Sequence, residues 1–451
     1  MVISTVEAPV LPEGRTVGGE IARWAHDVGV ADVFTYPSVG VDAVNDHLAA
    51  GSDGLRVTIA ASERSAAAAA EALAALTGRA VAVVMDCAWA GEVRPPLLET
   101  GTVHHVAVGV DQPGGWAVAP ARGGASPAPP TGTGNRQGRP VVAVLPPPHH
   151  PHRARALDVV ASRGVPAATC VGWDPFPRSH RHLWVGRVGF LPTPHLLSLA
   201  ESTSAGIGWA ALPGAVIPEW LARHAEPTSP DQLSEIPAAD RVEPAVAARP
   251  HSPLARVTDW LSDALPESLV VADAGAAHRV VAAHVANRGR RALLTDCLTP
   301  MGWSLAAALG AARAEPAALQ VAVIGDGSLL ASVADLAVLA KCRVPAVVVL
   351  ARNGTLGNRP GRPGDPLCDP GLPGVDWLGL AAAVGIPAVL ADPEDPEPGC
   401  RSAMAGAQRG RRPSLLIVDT PPSHPQDLRD RVGIDHVDAL FTTAASERRI
   451  R

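Results

Sequence analysis

The sequence contains a single lysine, Lys341. It falls on a predicted helix beside Cys342, with no sign of a special environment, so Schiff-base chemistry is not expected. Cysteine is scarce as well. The six thiols (Cys87, Cys170, Cys297, Cys342, Cys368 and Cys400) are scattered, with no CxxC and no paired histidine motif. That spacing excludes a disulfide frame and a cysteine-based zinc site. There is no basic block and the net charge is −6, which argues against nucleic acid or an anionic membrane as partner. No apolar run reaches bilayer-spanning length, and the first residues lack a basic start followed by an apolar core, so the expected compartment is the cytoplasm. What is present is globular: 451 residues, 47% hydrophobic and 18% charged, enough chain for two to four domains with buried cores.

The chain is organised around residues 321–358. Residues 321–324 are an apolar run long enough for one buried strand, and Gly325-Asp326-Gly327 breaks it. From Ser328 onward, Leu329, Val333, Leu336, Ala337 and Ala340 fall at helical spacing. Residues 344–350 are a second β-branched run, followed by the Asn353-Gly354 turn signal. Strand, helix and strand with short connections predict a right-handed βαβ unit with parallel strands. Asp326 and Asn353 then leave the carboxyl ends of neighbouring strands, the edge where open α/β sheets bind ligands. A carboxylate and an amide oxygen are hard ligands, suited to a magnesium ion that also takes phosphate oxygens. The helix opening at Ser328 aims its free N–H groups and positive dipole end at the same point.

Gly325-Asp326-Gly327, an intervening run, then Arg352-Asn353 resembles the diphosphate-binding motif of thiamine diphosphate (ThDP) enzymes. Those enzymes read Gly-Asp-Gly, a stretch of about this length, then Asn-Asn. The resemblance implies that Asp326, Asn353 and the main-chain oxygen of Thr355 are metal ligands, and that Gly325, Gly327 and Ser328 bind the diphosphate. Arg352 replaces the first Asn, which is not the usual ligand.

Upstream, residues 15–28 predict a helix and 31–36 a strand. The following Phe34-Thr35-Tyr36-Pro37-Ser38-Val39-Gly40 resembles the turn that opens acetolactate-synthase-like members, with its glycines partly replaced. Pro37 carries over to the cofactor site. Val39 matches the position where pyruvate-decarboxylase-like relatives carry an acid for proton handling, which valine cannot do. Residues 55–60 read as a strand and 62–75 as a helix with Ser62 as N-cap. Glu63 thus sits in a first helical turn, where an acid can simply complement the dipole. The likeness of residues 60–80 (AASERSAAAAAEALAALTGRA) to the family's His-Glu segment implies instead that Glu63 is catalytic and hydrogen-bonds the aminopyrimidine ring. A buried, apolar setting would keep the shared proton available.

Residues 80–85 and 103–108 are further strands, and His104 and His105 lie inside the second as structural side chains. Residues 111–138, rich in Gly, Pro and Ala, read as a flexible loop in place of the family's substrate-pocket segment. A strand over 140–145, a helix over 154–163 and strands over 165–170 and 207–212 form a small α/β region. His149, His150, His152, His180 and His182 read as solvated loop residues rather than a metal site. Residues 226–253 read as a linker. A helix over 254–265 and a strand over 268–273 follow, and the small-residue helix after Trp303 is preceded by Leu298-Thr299-Pro300-Met301-Gly302. There the resemblance implies that Met301 props the bent cofactor and that the main-chain oxygen of Thr299 accepts its exocyclic amine. Residues 377–384 (helix) and 414–419 (strand) complete the region.

The resemblance covers nearly the whole chain. It implies an α/β protein with two ThDP-fold parallel-sheet domains, pyrimidine-binding (1–138) and diphosphate-binding (254–425). These flank a reduced middle α/β domain (139–225), with a linker at 226–253 and a tail at 426–451. The implied cofactors are ThDP and Mg2+, and the middle domain is too short for a flavin. The implied assembly is a homodimer or homotetramer, because the family's glutamate faces another subunit's diphosphate site. The expected activity is acetolactate-synthase-like: decarboxylation of a 2-oxo acid and transfer of the acyl carbanion to an acceptor carbonyl. Two alternatives stay open, a simple 2-oxo acid decarboxylase releasing an aldehyde and a non-catalytic ThDP-fold partner or regulatory subunit.

Overall fold

The computed structural model describes residues 16–38, 41–50, 54–86, 102–108, 116–118, 141–170, 176–188, 193, 196, 199, 208–215, 217, 221, 225–235, 252–294, 300–356 and 371–421. Its strands form three sheets, each made from consecutive chain.

The first sheet follows from short apolar runs separated by helices: α1 (Val17–Asp27), β1 (Asp32–Thr35), α2 (Asp42–Ala49), β2 (Arg56–Ile59), α3 (Glu63–Thr77), β3 (Ala80–Asp86), β4 (Thr102–Val108) and β5 (Trp116–Val118). The strand order is β2-β1-β3-β4-β5, parallel except for β5. β5 lies within the stretch read as a flexible loop. Its apolar Trp116 and Val118 are enough to pair a short edge strand with β4, and Trp116 meets Trp24 edge-on at 6.3 Å.

The second sheet comprises β6 (Val141–Leu145), α4 (Arg153–Arg163), β7 (Ala167–Thr169), β8 (Trp184–Arg187), β9 (Gly208–Ala211), β10 (Ala225–Pro227) and α5 (Pro230–Leu233). The order β10-β9-β6-β7-β8 is parallel throughout. β10 and α5 fall in the expected linker. Ser229 and Gln232 form a reciprocal capping box that starts α5, and Leu233 is buried in the sheet's core. Residues 226–235 therefore belong to this sheet, and 236–251 lie outside the described residues.

The third sheet holds the central segment: α6 (Pro253–Ala264), β11 (Val270–Ala272), α7 (Ala276–His284), β12 (Ala292–Leu293), α8 (Trp303–Ala314), β13 (Gln320–Gly325), α9 (Asp326–Leu330), α10 (Val333–Lys341), β14 (Ala346–Arg352), α11 (Trp377–Ala383), β15 (Ala388–Leu390), α12 (Glu397–Gly410) and β16 (Pro413–Asp419). Six parallel strands run in the order β12-β11-β13-β14-β16-β15. β13 and β14 are buried on both faces, as continuous β-branched runs in a helix-covered parallel sheet must be.

The first and third sheets share a core through α3 and α8, with Ala66, Ala69, Leu305 and Ala308 in one cluster with Phe34 and Ile324. Both helices are alanine-rich, so their backbones approach closely. At the tightest point a Cβ added to Gly310 would overlap the Ala69 carbonyl. Among the described residues, no helix is long and apolar enough to cross a membrane.

Candidate active site

The βαβ unit expected at residues 321–358 is present, with Gly325 of β13 level with Ala351 of β14. Its helix differs from the expectation. α9 lasts five residues before Ala331-Ser332 breaks it and α10 resumes. The break is stabilised by the Ser332 hydroxyl, which donates to the Ser328 carbonyl at 2.8 Å. So short a helix carries little macrodipole, and the attraction available to an anion comes from its individual N–H groups.

Asp326 is 3% exposed and gathers the loop after β14 around itself. Its Oδ2 accepts the main-chain N–H groups of Asn353 (2.9 Å) and Gly354 (2.7 Å), and its Oδ1 accepts Gly327 N–H at 2.9 Å. A carboxylate has about four lone-pair sites, so one stays available to a cation. Asn353 Oδ1 accepts the N–H (2.9 Å) and the hydroxyl (3.0 Å) of Thr355, and the hydroxyl is the donor that rotation can release. The residues of the expected ligand set, Asp326, Asn353 and Thr355, are therefore brought together at one sheet edge, and the donors expected of them are all hard oxygen.

That donor chemistry fits a magnesium ion whose remaining ligands are phosphate oxygens. Among the described residues no group of three His, Cys, Asp or Glu side chains could hold a metal, the histidines at 149, 150, 152, 180 and 182 included. The cradle also has room. A Cβ on Gly325 would meet nothing within 4 Å, whereas one on Gly327 would come within 2.6 Å of Leu356. Arg352 does not intrude. Paired with Asp419 on the adjacent β16, with one bond at 2.7 Å, it has its own pKa pushed up while the Asp419 carboxyl is held below its usual range.

Met301 stands beside this edge, 57% exposed, on a turn whose Gly302 has φ +85°. The turn is anchored by Asp273, a fully buried carboxylate at the end of β11. Its Oδ1 accepts the N–H of Ala274 (2.9 Å) and of Gly302 (3.2 Å), and its Oδ2 accepts the N–H and hydroxyl of Ser304, each at 3.0 Å. The Ser328 hydroxyl bonds to it as well, which leaves Ser328 its main-chain N–H for a ligand. Burial pushes the Asp273 pKa up and these donors pull it back. Asp273 was not among the sequence candidates. An acid ending an apolar strand and followed by Ala-Gly was the available signal, but its partners lie about 30 residues away and more. Thr299 lies outside the described residues.

Glu63 is the first residue of α3, with Ser62 as N-cap accepting Ser65 N–H at 3.3 Å. It sits at the carboxyl edge of the first sheet with Tyr36 and the exposed Pro37. Tyr36 has its pKa raised, mainly by burial and further by the Glu63 and Asp86 charges, although the Asp86 N–H donated to its hydroxyl at 3.2 Å pulls the other way. The Glu63 carboxylate has no hydrogen-bond or ion-pair partner among the described residues, and none joins Glu63 or Pro37 to the Asp326 group. Val39 lies outside the described residues. His104 and His105 sit in β4, His104 edge-on to Trp24 at 5.4 Å. Burial pushes both down, His105 to about 4.

Residues 15–94 match the thiamine pyrophosphate enzyme N-terminal TPP binding domain, and residues 273–418 match the C-terminal TPP binding domain of the same enzymes. Benzoylformate decarboxylase of Pseudomonas aeruginosa is 34% identical over 129 residues, 28% of this chain and 24% of that one. The acetolactate synthase large subunit of Parasynechococcus marenigrum is 33% identical over 91 residues, 20% of this chain and 15% of that one. The matched stretches thus span a quarter or less of these relatives. A solved structure from Mycobacterium smegmatis, described as a thiamin diphosphate-dependent enzyme, superposes with a TM-score of 0.64 at 18% identity, covering 90% of this chain and all of that one. That likeness concerns the fold. With both TPP binding domains matched across about half of its length, the chain belongs to the thiamine pyrophosphate enzyme family.

Proposed function

We propose that the protein is a ThDP- and magnesium-dependent enzyme that decarboxylates a 2-oxo acid and transfers the acyl unit to an acceptor carbonyl. The observation that carries the cofactor assignment is the Asp326 carboxylate holding the Asn353-Gly354-Thr355 turn at one edge of the third sheet. When bound, ThDP supplies an electron sink for the carbon–carbon bond that breaks beside the substrate carbonyl. Asp326, Asn353 and the Thr355 carbonyl would hold the magnesium ion, and the Ser328 N–H would bind the diphosphate, since the Gly327 N–H is already given to Asp326 Oδ1. Gly325 keeps the approach open. Met301 offers an apolar surface to the ring system, and the Thr299 carbonyl accepts the exocyclic amine. Pro37 lines the pyrimidine end. There the Glu63 carboxyl would hold a proton against the ring nitrogen. By the family resemblance, Glu63 would serve the site of a partner subunit; among the described residues no hydrogen bond joins it to the Asp326 group.

Transfer rather than aldehyde release is supported by the adjacent histidines. Both lie within β4, inside the first sheet, and burial pushes His105 down to about 4, so it stays uncharged at neutral pH. Simple decarboxylation is the second reading, favoured by the likeness to benzoylformate decarboxylase. Calorimetric titration of ThDP into metal-stripped protein, with and without magnesium, tests the cofactor assignment. Saturable, magnesium-dependent binding that Asp326→Ala weakens at least 100-fold is expected, and equal binding by the variant would contradict it. Product analysis of 2-oxo acids with and without acceptor aldehydes then separates the two activities. Aldehyde and CO2 alone, under every condition, would rule out transfer.

A further inference from the structure

Met301 is a large apolar side chain that the fold holds out toward solvent. Nothing in its own sequence neighbourhood would keep it there, since Gly302 is the residue type with the greatest backbone freedom. The restraint comes from two places. A Cβ on Gly302 would lie 2.6 Å from the Ser332 Cβ, so the turn is pressed against the break between α9 and α10. Beneath it, Asp273 takes the N–H of Gly302 and both the N–H and hydroxyl of Ser304. Gly302 is the N-cap of α8 and has no side chain to cap with, so Asp273 caps that helix from another strand. Every partner of Asp273 is a donor, and they come from three segments: its own strand end, the Met301 turn and the loop carrying Ser328. Asparagine at this position would turn an N–H pair toward existing donors.

We propose that Asp273 is a positioning residue for the cofactor: it fixes the Met301 turn against the diphosphate-binding loop, so that the two ends of a bent ThDP meet surfaces at a set separation. The inference rests on the ThDP reading above. Asp273 touches neither metal nor diphosphate and acts through Met301. Its removal therefore affects ligands that reach Met301 more than those that occupy only the Asp326 end, where Asp273 holds Ser328 by the hydroxyl alone.

The test compares ThDP with inorganic pyrophosphate, each titrated with magnesium into the full chain by calorimetry. Wild type, Asp273→Asn, Met301→Ala and the double variant are measured. Each single variant is expected to bind ThDP about tenfold more weakly while pyrophosphate affinity changes less than about threefold, and the double variant is expected to be no worse than the weaker single one, as coupled residues behave. A merely structural Asp273 would lower the unfolding midpoint and weaken both ligands alike, which would overturn the proposal. So would unchanged ThDP binding in Asp273→Asn, or effects of the two substitutions that add. Should Asp273→Asn fail to fold, Ser304→Ala decides: a selective loss for ThDP of a few fold supports the proposal, and no loss overturns it. Wild-type protein that binds neither ligand removes the underlying ThDP reading, and the proposal falls with it. Wild type that binds ThDP while Met301→Ala is indifferent removes only the role of the turn.

Discussion

The carboxyl edges of the first and third sheets are built from the same parallel architecture but furnished differently. At the third sheet, the side-chain oxygens of Asp326, Asn353 and Asp273 are locked by a dense set of hydrogen bonds, each held by main-chain donors a few residues or a few dozen residues away. At the first sheet, Glu63 stands at the start of α3 with no hydrogen-bond or ion-pair partner among the described residues. One edge is preorganised before any ligand arrives, and the other presents a carboxylate whose function depends on what faces it. The contrast matches the chemistry asked of them. On the proposed reading, a diphosphate and its cation would need fixed electrostatics, whereas a proton-sharing acid would need a dry surface facing it.

The widest separation between the two edges is expected from Glu63→Gln. Turnover should fall about 10²–10⁴-fold, the range of an acid–base group, while calorimetry finds ThDP affinity nearly unchanged. Comparable losses in both would mean that Glu63 is part of the binding edge. Gly310→Ala probes the contact that holds the two sheets in one body. Its Cβ meets the Ala69 carbonyl, and overpacking of this kind costs about 1–3 kcal/mol, readable as a lower urea midpoint.

A similar magnitude is expected from acid. His105, near 4, and His278, near 3, are neutral in the fold and protonate near 6.5 once unfolded. The unfolded chain then binds more protons, so stability present above pH 6.5 is lost as pH falls toward 4, by on the order of 3 kcal/mol for each histidine. Denaturant titrations at several pH values should show a shallower decline in His105→Gln. Unchanged pH dependence would place the loss elsewhere. The smallest effect should come from Arg352→Ala. The side chain is tied to Asp419 in a largely exposed pair, worth about 0.2–1 kcal/mol, so ThDP affinity should change less than about fivefold.

Much of the third sheet's edge is legible in the sequence because its signals are local. Gly325-Asp326-Gly327 ends an apolar run, Asn353-Gly354 ends another, and the spacing between them places both on adjacent strands. The alanine helix starting at Ser62 is legible for the same reason, through its cap and its period. What stays hidden depends on distant partners. The break at Ser332 arises where Gly302 packs, and Asp273 finds its role about 30 residues along the chain, in Gly302 and Ser304. β5 needs β4 beside it, and β15 with α12 fills a stretch between a helix and a strand where no pattern is strong. Periodicity reports which face is apolar. It does not report which donors a buried acid will meet.

The most direct test of the claim that each site joins the Glu63 edge of one subunit to the Asp326 edge of another is subunit complementation. Glu63→Gln and Asp326→Ala proteins, each inactive alone, are mixed, dissociated and reassembled in equal amounts. A mixed dimer then holds one site with both substitutions and one with neither, so about a quarter of wild-type activity should return. If each site instead drew both edges from one chain, every site in the mixture would carry a substitution and no activity would return.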